Sequence, residues 1–388
     1  MTSLLFWTAL LLIGYTFIGY PLLLAFINLL SKAKPVKQAT ATLPLCTLII
    51  PAYNEEQVIA RKIENTLALR GTQEKLAIVV VTDGSTDNTL KIAADYKNIQ
   101  VLHNHERRGK THAMLRAADE AAGEIIIFSD ANTLLTKNSL SHLLVFFQDP
   151  ETGCVAGEKQ VINPSKPHPI QASEGLYWKW ESFIKKQESA FHSTIGAAGE
   201  LFAIRKQLIA PLKEDTILDD FLLSMHVAEK QKRIRYAAGA IAREEGSASR
   251  LDEMERKIRI AAGAFQALGR IQIIKRPFHY PVVFWQLISH KILRWLFVPW
   301  LLVLALTTNI GLLSCPSTNY FYWLTFLFQL LFYAMALGSF PFQNKASKGT
   351  WFFFPGYFVL MNVALVRGAI RYLRGQQSAT WQRVQRGN

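Results

Sequence analysis

Cysteine is scarce in this chain of 388 residues, which contains Cys46, Cys154 and Cys315 and no others. Their number is odd, and their spacing is not that of a metal-binding motif. Disulfide frameworks are typical of small secreted domains in oxidising compartments. The cysteine content therefore excludes a fold held together by disulfides, and it fits a reducing cytoplasm.

Acidic residues are also in short supply. The chain has 29 Asp and Glu against 43 Lys and Arg, which gives a formal net charge of +14. Such an excess is common in nucleic-acid-binding proteins, but no zinc-finger, RNA-recognition or helix-turn-helix signature accompanies it. Many basic residues instead flank apolar segments, where they would meet anionic headgroups. We therefore expect membrane lipids as partners and no nucleic acid, and an anionic substrate is compatible with the charge.

Charge is absent from the N-terminal segment Leu4–Leu30, a run of 27 residues that is long enough to cross a bilayer. A cleaved signal peptide is the alternative, but the first three residues carry no positive charge and the run exceeds a normal signal core. Lys32, Lys34 and Lys37 follow at once. The positive-inside rule therefore predicts that the chain after this helix lies in the cytoplasm.

Three further apolar segments follow near the C-terminus, at Leu296–Leu313, Tyr320–Leu337 and Trp351–Val366. Three crossings from a cytoplasmic domain would put the C-terminus outside. The basic residues after them argue for inside: Arg367, Arg371, Arg374, Arg383 and Arg386. Either one segment does not cross fully or the count of segments is wrong.

A basic and aromatic stretch, Pro277–Trp295, precedes these segments and is typical of a membrane interface. Its characteristic residues are Trp285, His290, Lys291 and Arg294. The predicted organisation is an anchor at 1–31, a globular domain at 44–270, an interfacial helix with membrane helices at 277–374, and a basic tail at 375–388. A polar linker at 35–44 joins the first two parts. We expect a multi-pass protein of the cell membrane with its globular domain in the cytoplasm.

The globular domain alternates buried strands with helices, without internal repeats or low-complexity tracts. Its strand patterns are Cys46–Ile50, Ala77–Val81, Ile99–Leu102 and Ile125–Phe128. Helical patterns lie between them, for example an apolar stripe at Ile59, Ile63 and Leu67. This rhythm predicts an α/β fold with a mostly parallel sheet flanked by helices.

Acids follow three of these strands: Glu55, Asp83 and Asp130. Open α/β sheets bind ligands at the carboxyl ends of their strands. A crevice lined by carboxylates suits a metal–nucleotide ligand, although Asp130 could also serve only to turn the chain.

The second half of the domain is less regular. Cys154–Glu158 predicts a further strand, and Gln171–Ser193 a helix rich in aromatic residues. Gly196–Arg205 is a glycine-interrupted turn that enters a strand or a helix. Asp219 and Asp220 then precede an apolar helix, where they could act as a helix N-cap or in chemistry.

In this order, the motifs resemble those of the membrane-anchored family 2 glycosyltransferases, a group that includes cellulose, hyaluronan, chitin-oligomer and poly-N-acetylglucosamine synthases. The resemblance covers about Leu45 to Gly269, and it implies a GT-A-like, Rossmann-like fold with N- and C-terminal transmembrane helices. The segments that carry it are Pro51–Glu55, Val80–Asp87, Gly109–Lys110, Ser129–Asn132, Gly199–Arg205 and Leu218–Asp220.

The resemblance also implies roles for individual residues. A nucleotide-sugar would be bound by Pro51, Tyr53, Glu55, Asp83, Lys110, Asp130, Arg256 and Arg259. A divalent cation, Mg²⁺ or Mn²⁺, would be held by Asp130 and Asn132. Gly199 and Glu200 would lie beside the acceptor. Asp220, with Asp219 next to it, would be the catalytic base, and their like charges could raise the pKa of one of them.

Other uses of these residues remain open. Lys110 could be a solvated lysine in a turn, and Arg256 and Arg259, at i and i+3 on one helix face, could contact lipid headgroups. Trp178 and Trp180 could stack on a sugar, rest on the membrane or pack in the core.

The chain departs from the family pattern at three places. Thr82 replaces the first of two paired aspartates, and Asn132 replaces the second acid of the Asp-x-Asp motif. The Gln-x-x-Arg-Trp motif of processive polymerases is absent, with Arg256–Ile260 as its nearest counterpart.

The sequence as a whole therefore predicts an inverting, metal-dependent transferase. It would use a nucleotide-sugar, which the resemblance implies to be a UDP-sugar. The acceptor would be a carbohydrate or a lipid-linked molecule in polysaccharide or glycolipid synthesis. Transfer of one sugar to a lipid carrier is the alternative among enzymes. A catalytically impaired nucleotide-sugar-binding subunit of an assembly or secretion complex is the alternative outside them.

Overall fold

The computed structural model describes residues 1–31, 44–69, 75–162, 169–245, 250–314, 319–339 and 350–377. Several features predicted from the sequence lie outside these ranges: the linker up to Pro44, the lysines at 32, 34 and 37, Cys315, and the arginines at 383 and 386 in the tail.

Eight strands form one sheet in the described part of the chain. Their bounds are β1 Cys46–Ala52, β2 Leu76–Asp83, β3 Gln100–Asn104, β4 Ile125–Phe128, β5 Thr133–Leu135, β6 Thr152–Ile162, β7 Phe202–Arg205 and β8 Arg233–Glu245. Their order across the sheet is β3-β2-β1-β4-β7-β6-β8-β5. The four predicted strand patterns correspond to β1, β2, β3 and β4.

The helices of the described residues lie on both faces of the sheet and at its membrane end. Their bounds are α1 Thr2–Gly14, α2 Tyr20–Leu30, α3 Ile59–Leu67, α4 Thr89–Ala94, α5 Lys110–Glu120, α6 Ser139–Leu144, α7 Pro169–Phe191, α8 Asp219–Glu229, α9 Arg250–Arg270, α10 Gln272–Lys275, α11 Pro281–Leu287, α12 Val298–Leu313, α13 Tyr320–Ser339 and α14 Thr350–Leu373. Two π-helical segments, Tyr15–Gly19 and Ile288–Phe297, join α1 to α2 and α11 to α12.

The sheet is parallel in its first half and mixed in its second. Strands β3, β2, β1 and β4 are parallel to one another, as the alternating pattern predicts. Strand β7, which follows the glycine-rich turn, pairs antiparallel with both β4 and β6. The segment whose strand or helix character the sequence left open is therefore a short antiparallel strand in the middle of the sheet.

Both faces of the central strands are buried, which explains their continuous apolar runs. On β4, Ile126 and Phe128 pack into one hydrophobic cluster with α5 and α8. Ile125 and Ile127 pack into a second cluster with α3 and α6 on the opposite face. A polar residue that directly follows such a strand is held at the edge of the sheet by two packed layers.

Four helical segments are long and apolar enough to cross a membrane within the described ranges: Thr2–Leu30, Pro281–Leu313, Tyr320–Ser339 and Phe352–Leu373. The first three run between the globular domain and the far end of the bundle. Near that far end the Ser3 hydroxyl lies 2.9 Å from the Tyr322 hydroxyl. At the domain end, Asn28 donates a hydrogen bond of 2.8 Å to the backbone oxygen of Gln187 on α7.

The last of these segments contacts the globular domain along much of its length. The Tyr357 ring lies 6.1 Å from the Tyr177 ring of α7. Gly368 packs so closely on α9 that an added Cβ would lie 2.5 Å from Ala261. Arg371 forms an ion pair of 2.9 Å with Glu255 of α9. Helix α14 therefore lies against α7 and α9, and both of its halves reach the globular domain.

Three basic residues of the stretch Pro277–Trp295 are buried against α7. Glu181 is bound by Lys291 at 2.6 Å and by Arg294 at 3.0 Å, while His290 lies 2.9 Å from Glu188. These acids are more than 100 positions away in sequence, so the pairs were not predicted, and the interfacial position of the stretch stays a prediction.

Candidate active site

A pocket of about 300 Å³ opens at the carboxyl end of β4 and continues toward the membrane helices. The sheet edge contributes Lys110, Asp130 and Asn132, and the segment before β7 contributes Gly199 and Glu200. Its remaining polar wall includes Lys159, Asp219, Asp220, Glu244, Arg256 and Arg259. Most of the predicted site residues thus line one cavity.

Asp130 and Lys110 form the centre of this pocket. The ammonium group of Lys110 donates to Asp130 Oδ1 at 2.6 Å. Burial raises the pKa of Asp130, and the charge of Lys110 offsets part of that rise. Burial alone would lower the pKa of Lys110, but Asp130 beside it holds that pKa above its ordinary value. Lys110 is a partner of Asp130 rather than a solvated turn residue.

Lys62 supports the turn that contains Asp130, a role that was not predicted from the sequence. Its side chain is fully buried and donates to the Ser129 hydroxyl at 2.6 Å and to the Thr133 carbonyl at 2.8 Å. Burial lowers its pKa to about 7, and Asp130 opposes that change. These bonds fix the turn that carries Asp130 at the end of β4.

Asp219 and Asp220 form the first turn of α8, where backbone amides lack partners within the helix. Asp219 Oδ1 accepts the Asp220 amide at 2.8 Å, and Asp220 Oδ1 accepts the Phe221 amide at 2.7 Å. Both acids thus accept first-turn amides, while the N-cap position itself is Leu218, which makes no side-chain cap hydrogen bond. The second oxygen of Asp220 is left facing the pocket beside Gly199.

Burial and the neighbouring Asp219 raise the pKa of Asp220 to about 7. A carboxylate with such a pKa can accept a proton near neutral pH. The pocket therefore contains a candidate general base whose protonation is set by its surroundings.

Gly199 marks the point where the functional groups converge. A Cβ added to it would lie 3.4 Å from the Lys110 ammonium, 3.5 Å from Asp220 Oδ2 and 3.7 Å from Asp130 Oδ2. A cation, a base and an acid thus face one small volume, and the lack of a side chain at Gly199 leaves that volume open to a ligand.

Asn132 and Glu200 belong to a buried polar network at the side of the pocket. The Asn132 amide nitrogen donates to Glu244 at 3.1 Å. The ammonium of Lys159 binds both Glu200 and Glu244. Although burial opposes ionisation of Glu200, Lys159 holds its pKa below the ordinary value. Lys159 is a second buried cation that the sequence did not single out.

The donor set at Asp130 fits a hard divalent cation. Lys110 binds Asp130 Oδ1, Asp130 Oδ2 faces the pocket beside Gly199, and Asn132 also lines the pocket. Within the described ranges, no group of three or more His, Cys, Asp or Glu side chains is arranged to hold a metal. Mg²⁺ is commonly held by one or two carboxylates together with substrate phosphates, so one carboxylate suffices for that kind of site.

A much smaller pocket, of about 10 Å³, lies at the ends of β1 and β2. Pro51, Tyr53, Asp83 and Arg107 line it, and the Arg107 guanidinium lies 3.8 Å from the centre of the Tyr53 ring. A space of this size holds about one water molecule. A nucleobase could enter here only after Arg107 moves.

Asp83 holds the loop that carries Lys110. Its two carboxylate oxygens accept the backbone amides of Arg108 at 3.0 Å and Gly109 at 2.7 Å. Gly109 has a φ of 97°, a conformation that glycine adopts without a steric cost. The acid predicted to contact a nucleotide thus already positions its neighbouring loop.

The remaining predicted residues lie around these pockets in different ways. Glu55 is buried at the end of β1, where its amide donates to Thr89 at 2.7 Å, and it does not line the large pocket. Arg256 pairs with Glu253 at 3.0 Å. Arg259 lines the pocket and forms no hydrogen bond or ion pair with another residue of the described ranges. Burial lowers its pKa, while Asp219 and Asp130 favour its charged form.

The two tryptophans have separate environments. Trp178 lines the large pocket, with the Lys159 ammonium 5.0 Å from its ring centre. Trp180 stacks on Phe183 at 5.3 Å and packs against the cluster around Tyr20 of the N-terminal helix. Trp180 therefore packs against other hydrophobic side chains, whereas Trp178 forms part of the wall of the large pocket.

Comparison with known proteins identifies the family that part of this chain matches. Residues 47–212 match the family described as Glycosyl transferase family 2. They form a family 2 glycosyltransferase domain. The match includes strands β1 to β7 with Asp83, Lys110, Asp130 and Gly199, and it ends before Asp220.

Curated relatives of the glycosyltransferase domain are membrane-lipid and polysaccharide synthases. A beta-monoglucosyldiacylglycerol synthase of Nostoc is 25% identical over 243 residues, covering 59% of this chain and 51% of the relative. A poly-beta-1,6-N-acetyl-D-glucosamine synthase of Staphylococcus aureus is 26% identical over 198 residues, covering 49% and 47%. This chain thus spans about half the length of the curated relatives it matches.

A solved structure extends the likeness of the glycosyltransferase domain to nearly the whole chain. A mannosyltransferase from Pyrobaculum calidifontis, in complex with GDP-Man and Mn²⁺, superimposes with a TM-score of 0.68 at 22% identity. The match covers 96% of this chain and 100% of the mannosyltransferase. The predicted GT-A-like fold with helices at both ends is confirmed.

Proposed function

We propose that this chain is a glycosyltransferase that moves a sugar from a nucleotide-sugar to an acceptor at the membrane surface. The observation that carries the proposal is the convergence on Gly199 of Lys110, Asp130 and Asp220, the last with a pKa of about 7. The family 2 domain supports the donor class, and the membrane helices support an acceptor reached at the bilayer.

In the proposed reaction, Asp220 accepts the proton of an acceptor hydroxyl as that oxygen bonds to the anomeric carbon. The bond from this carbon to the diphosphate breaks, and the diphosphate leaves with the bonding electrons. Lys110 and Arg259 are the cations of the pocket that would offset its negative charge. A divalent cation on Asp130 and Asn132 would add to that charge stabilisation when bound.

We further propose that the reaction inverts the configuration of the sugar. A two-step route needs a carboxylate nucleophile, and the pocket carboxylates of Asp130, Glu200 and Glu244 are each bound by a lysine, whereas Asp220 Oδ2 faces the open volume as a base. A single direct displacement at the anomeric carbon inverts its configuration.

The rate should depend on pH through Asp220. The base acts when ionised, and burial with Asp219 raises its pKa to about 7, so kcat/KM is expected to fall as the pH drops below about 7. Asp219→Asn removes the like charge, and it should move this acidic limb to lower pH. Initial rates across the acidic and neutral range would measure both curves, and an unchanged limb in the variant would contradict the assignment.

For the donor, we propose a UDP-sugar whose uracil ring binds near Tyr53 and Asp83. Purified chain in detergent with Mg²⁺ or Mn²⁺ should release a nucleoside diphosphate from one member of a panel of UDP- and GDP-sugars. Release from a GDP-sugar alone would contradict the assignment of uracil as the nucleobase of the donor, but it would support the proposed glycosyltransferase activity. Tight donor binding without release in the presence of carbohydrate and lipid acceptors would favour the impaired-subunit alternative.

The arrangement of α14 supports a membrane topology. We propose that the glycosyltransferase domain lies in the cytoplasm and that α14 rests on the membrane surface instead of crossing. Its Tyr357 and Arg371 ends both contact the domain. Three crossings then leave the C-terminus on the domain's side, in agreement with its arginines.

Cysteine labelling in intact cells can test this topology. Variants Ser3→Cys and Gln376→Cys mark the two ends of the described chain, and the native cysteines would be replaced by serine. A membrane-impermeant maleimide should label position 3 from outside and position 376 only after permeabilisation. Labelling of position 376 in intact cells would show that α14 crosses.

A further inference from the structure

The membrane-side half of the large pocket contains a cation that the proposed reaction does not use. Lys185 of α7 lines the pocket and is only 6% exposed. Its ammonium forms no hydrogen bond or ion pair with another residue in the described part of the chain, and it lies 5.9 Å from the ring centres of both Trp178 and Tyr236. Because the side chain is largely buried while its ammonium is open to the pocket, an anion in the pocket could supply the missing partner.

Two more cations line the same wall. Lys291 and Arg294 both bind the one carboxylate of Glu181, at 2.6 Å and 3.0 Å. The other acids of α7 and β6 at this end are engaged elsewhere: Glu188 with Tyr20 and His290, and Glu158 with Ser182 and Tyr236. Lys291 and Arg294 therefore share the carboxylate of Glu181, whereas Lys185 has no such partner among the described residues, and this part of the wall has a positive excess.

Apolar residues continue the pocket beyond this wall. Met361, Ala364 and Leu365 of α14 line it together with Ile260 and Trp295. These side chains belong to the membrane-proximal part of the molecule, where α14 packs on α9. A ligand that places an anion at Lys185 can thus extend a hydrocarbon chain along α14, which favours a lipid over a free anion.

We propose that Lys185, with Lys291 and Arg294, binds the phosphate group of an anionic lipid acceptor. The inference rests on the proposed function and deepens it, since it names a phosphate-bearing lipid as the acceptor class. The phosphate would accept charge-assisted hydrogen bonds from these cations, while the acceptor oxygen approaches Asp220. Donor contacts lie at the other end, at Lys110 and Asp130.

A matched pair of acceptors tests the proposal: dioctanoyl phosphatidylglycerol, whose headgroup has a phosphate and free hydroxyls, and dioctanoylglycerol, which has a free hydroxyl and no phosphate. With purified full chain in detergent and its preferred donor, transfer to the phosphate lipid should be the efficient reaction. Lys185→Gln should raise the KM for the phosphate lipid at least about tenfold, because hydrogen bonds to charged groups are among the strong ones. The donor KM should stay unchanged.

Lys186→Gln is the control, because Lys186 is the next residue on the same helix and is exposed. Lys185→Arg should restore most of the affinity. Equal KM values in wild type and Lys185→Gln would overturn the proposal, as would better transfer to dioctanoylglycerol or a changed donor KM alone.

A binding experiment separates failure of this inference from failure of the proposed function. Calorimetry would measure the binding of dioctanoyl phosphatidylglycerol, dioctanoylglycerol and inorganic phosphate to wild type and Lys185→Gln. Phosphatidylglycerol binding that requires Lys185, in a protein inactive with every donor, would retain the lipid site and reject the transferase. Inorganic phosphate binding as tightly as the lipid would reject the lipid as the source of the anion.

Discussion

Asp220→Asn is expected to lower kcat by about 10³-fold, a loss typical of removing a general base. Asparagine keeps the shape of the side chain, and its amide oxygen can still accept the Phe221 amide that Asp220 accepts at 2.7 Å. The variant loses the ability to take a proton, so its donor Kd should remain that of the wild type.

Asp95→Asn is the control for this variant, since Asp95 is an exposed acid at the end of α4. Rates of nucleoside diphosphate release and donor calorimetry would be compared in the three proteins. A kcat for Asp220→Asn that matches the control would remove Asp220 from the chemistry and leave it as the acceptor of the Phe221 amide in the first turn of α8.

Asp130→Asn is expected to lower kcat/KM by about 10²- to 10³-fold, the scale of losing one preorganised charge contact to the leaving group. The substitution removes the carboxylate proposed to hold a divalent cation. It also frees Lys110, which donates to Asp130 at 2.6 Å. The response of the rate to Mg²⁺ or Mn²⁺ should therefore weaken in the variant.

Metal titrations of the release rate, with Asp119→Asn as an exposed acidic control on α5, would measure this loss. Circular dichroism melts would accompany them, because Lys62 and Lys110 both lie close to the changed charge. A metal response equal to that of the wild type would place the cation elsewhere.

Strands β1, β2 and β4 were predictable because their apolar runs are buried on both faces of the sheet. The run Ile125–Phe128, for example, packs between two helical layers. The antiparallel direction of Phe202–Arg205 was not predictable, since four residues after a glycine-rich turn carry no directional signal. The convergence of Asp130 and Asp220 followed from motif order, but the opening between them at Gly199 is a feature of the folded chain.

Buried cations were the main omission at the site. Lys62 and Lys159 look like solvated residues in sequence, because the groups that compensate them are distant along the chain. Lys62 binds Thr133, and Lys159 binds Glu200 and Glu244. The same reason explains why the pairing of Lys291 and Arg294 with Glu181 was not predicted.

The last apolar segment illustrates a limit of hydropathy. Phe352–Leu373 has the length and composition of a membrane span. Packing on α9 and α7 buries part of its apolar surface. Gly368 allows the close approach to Ala261. Composition alone does not distinguish a helix that faces lipid from one that faces another part of the same protein.

The most direct test of the account is transfer of labelled sugar to extracted membrane lipid or carbohydrate, measured for wild type and Asp220→Asn side by side. The account predicts a labelled, metal-stimulated product with the wild type from a nucleotide-sugar, and at most a trace with the variant despite equal donor binding. Equal product from both proteins, or none from the wild type with any nucleotide-sugar, would contradict it.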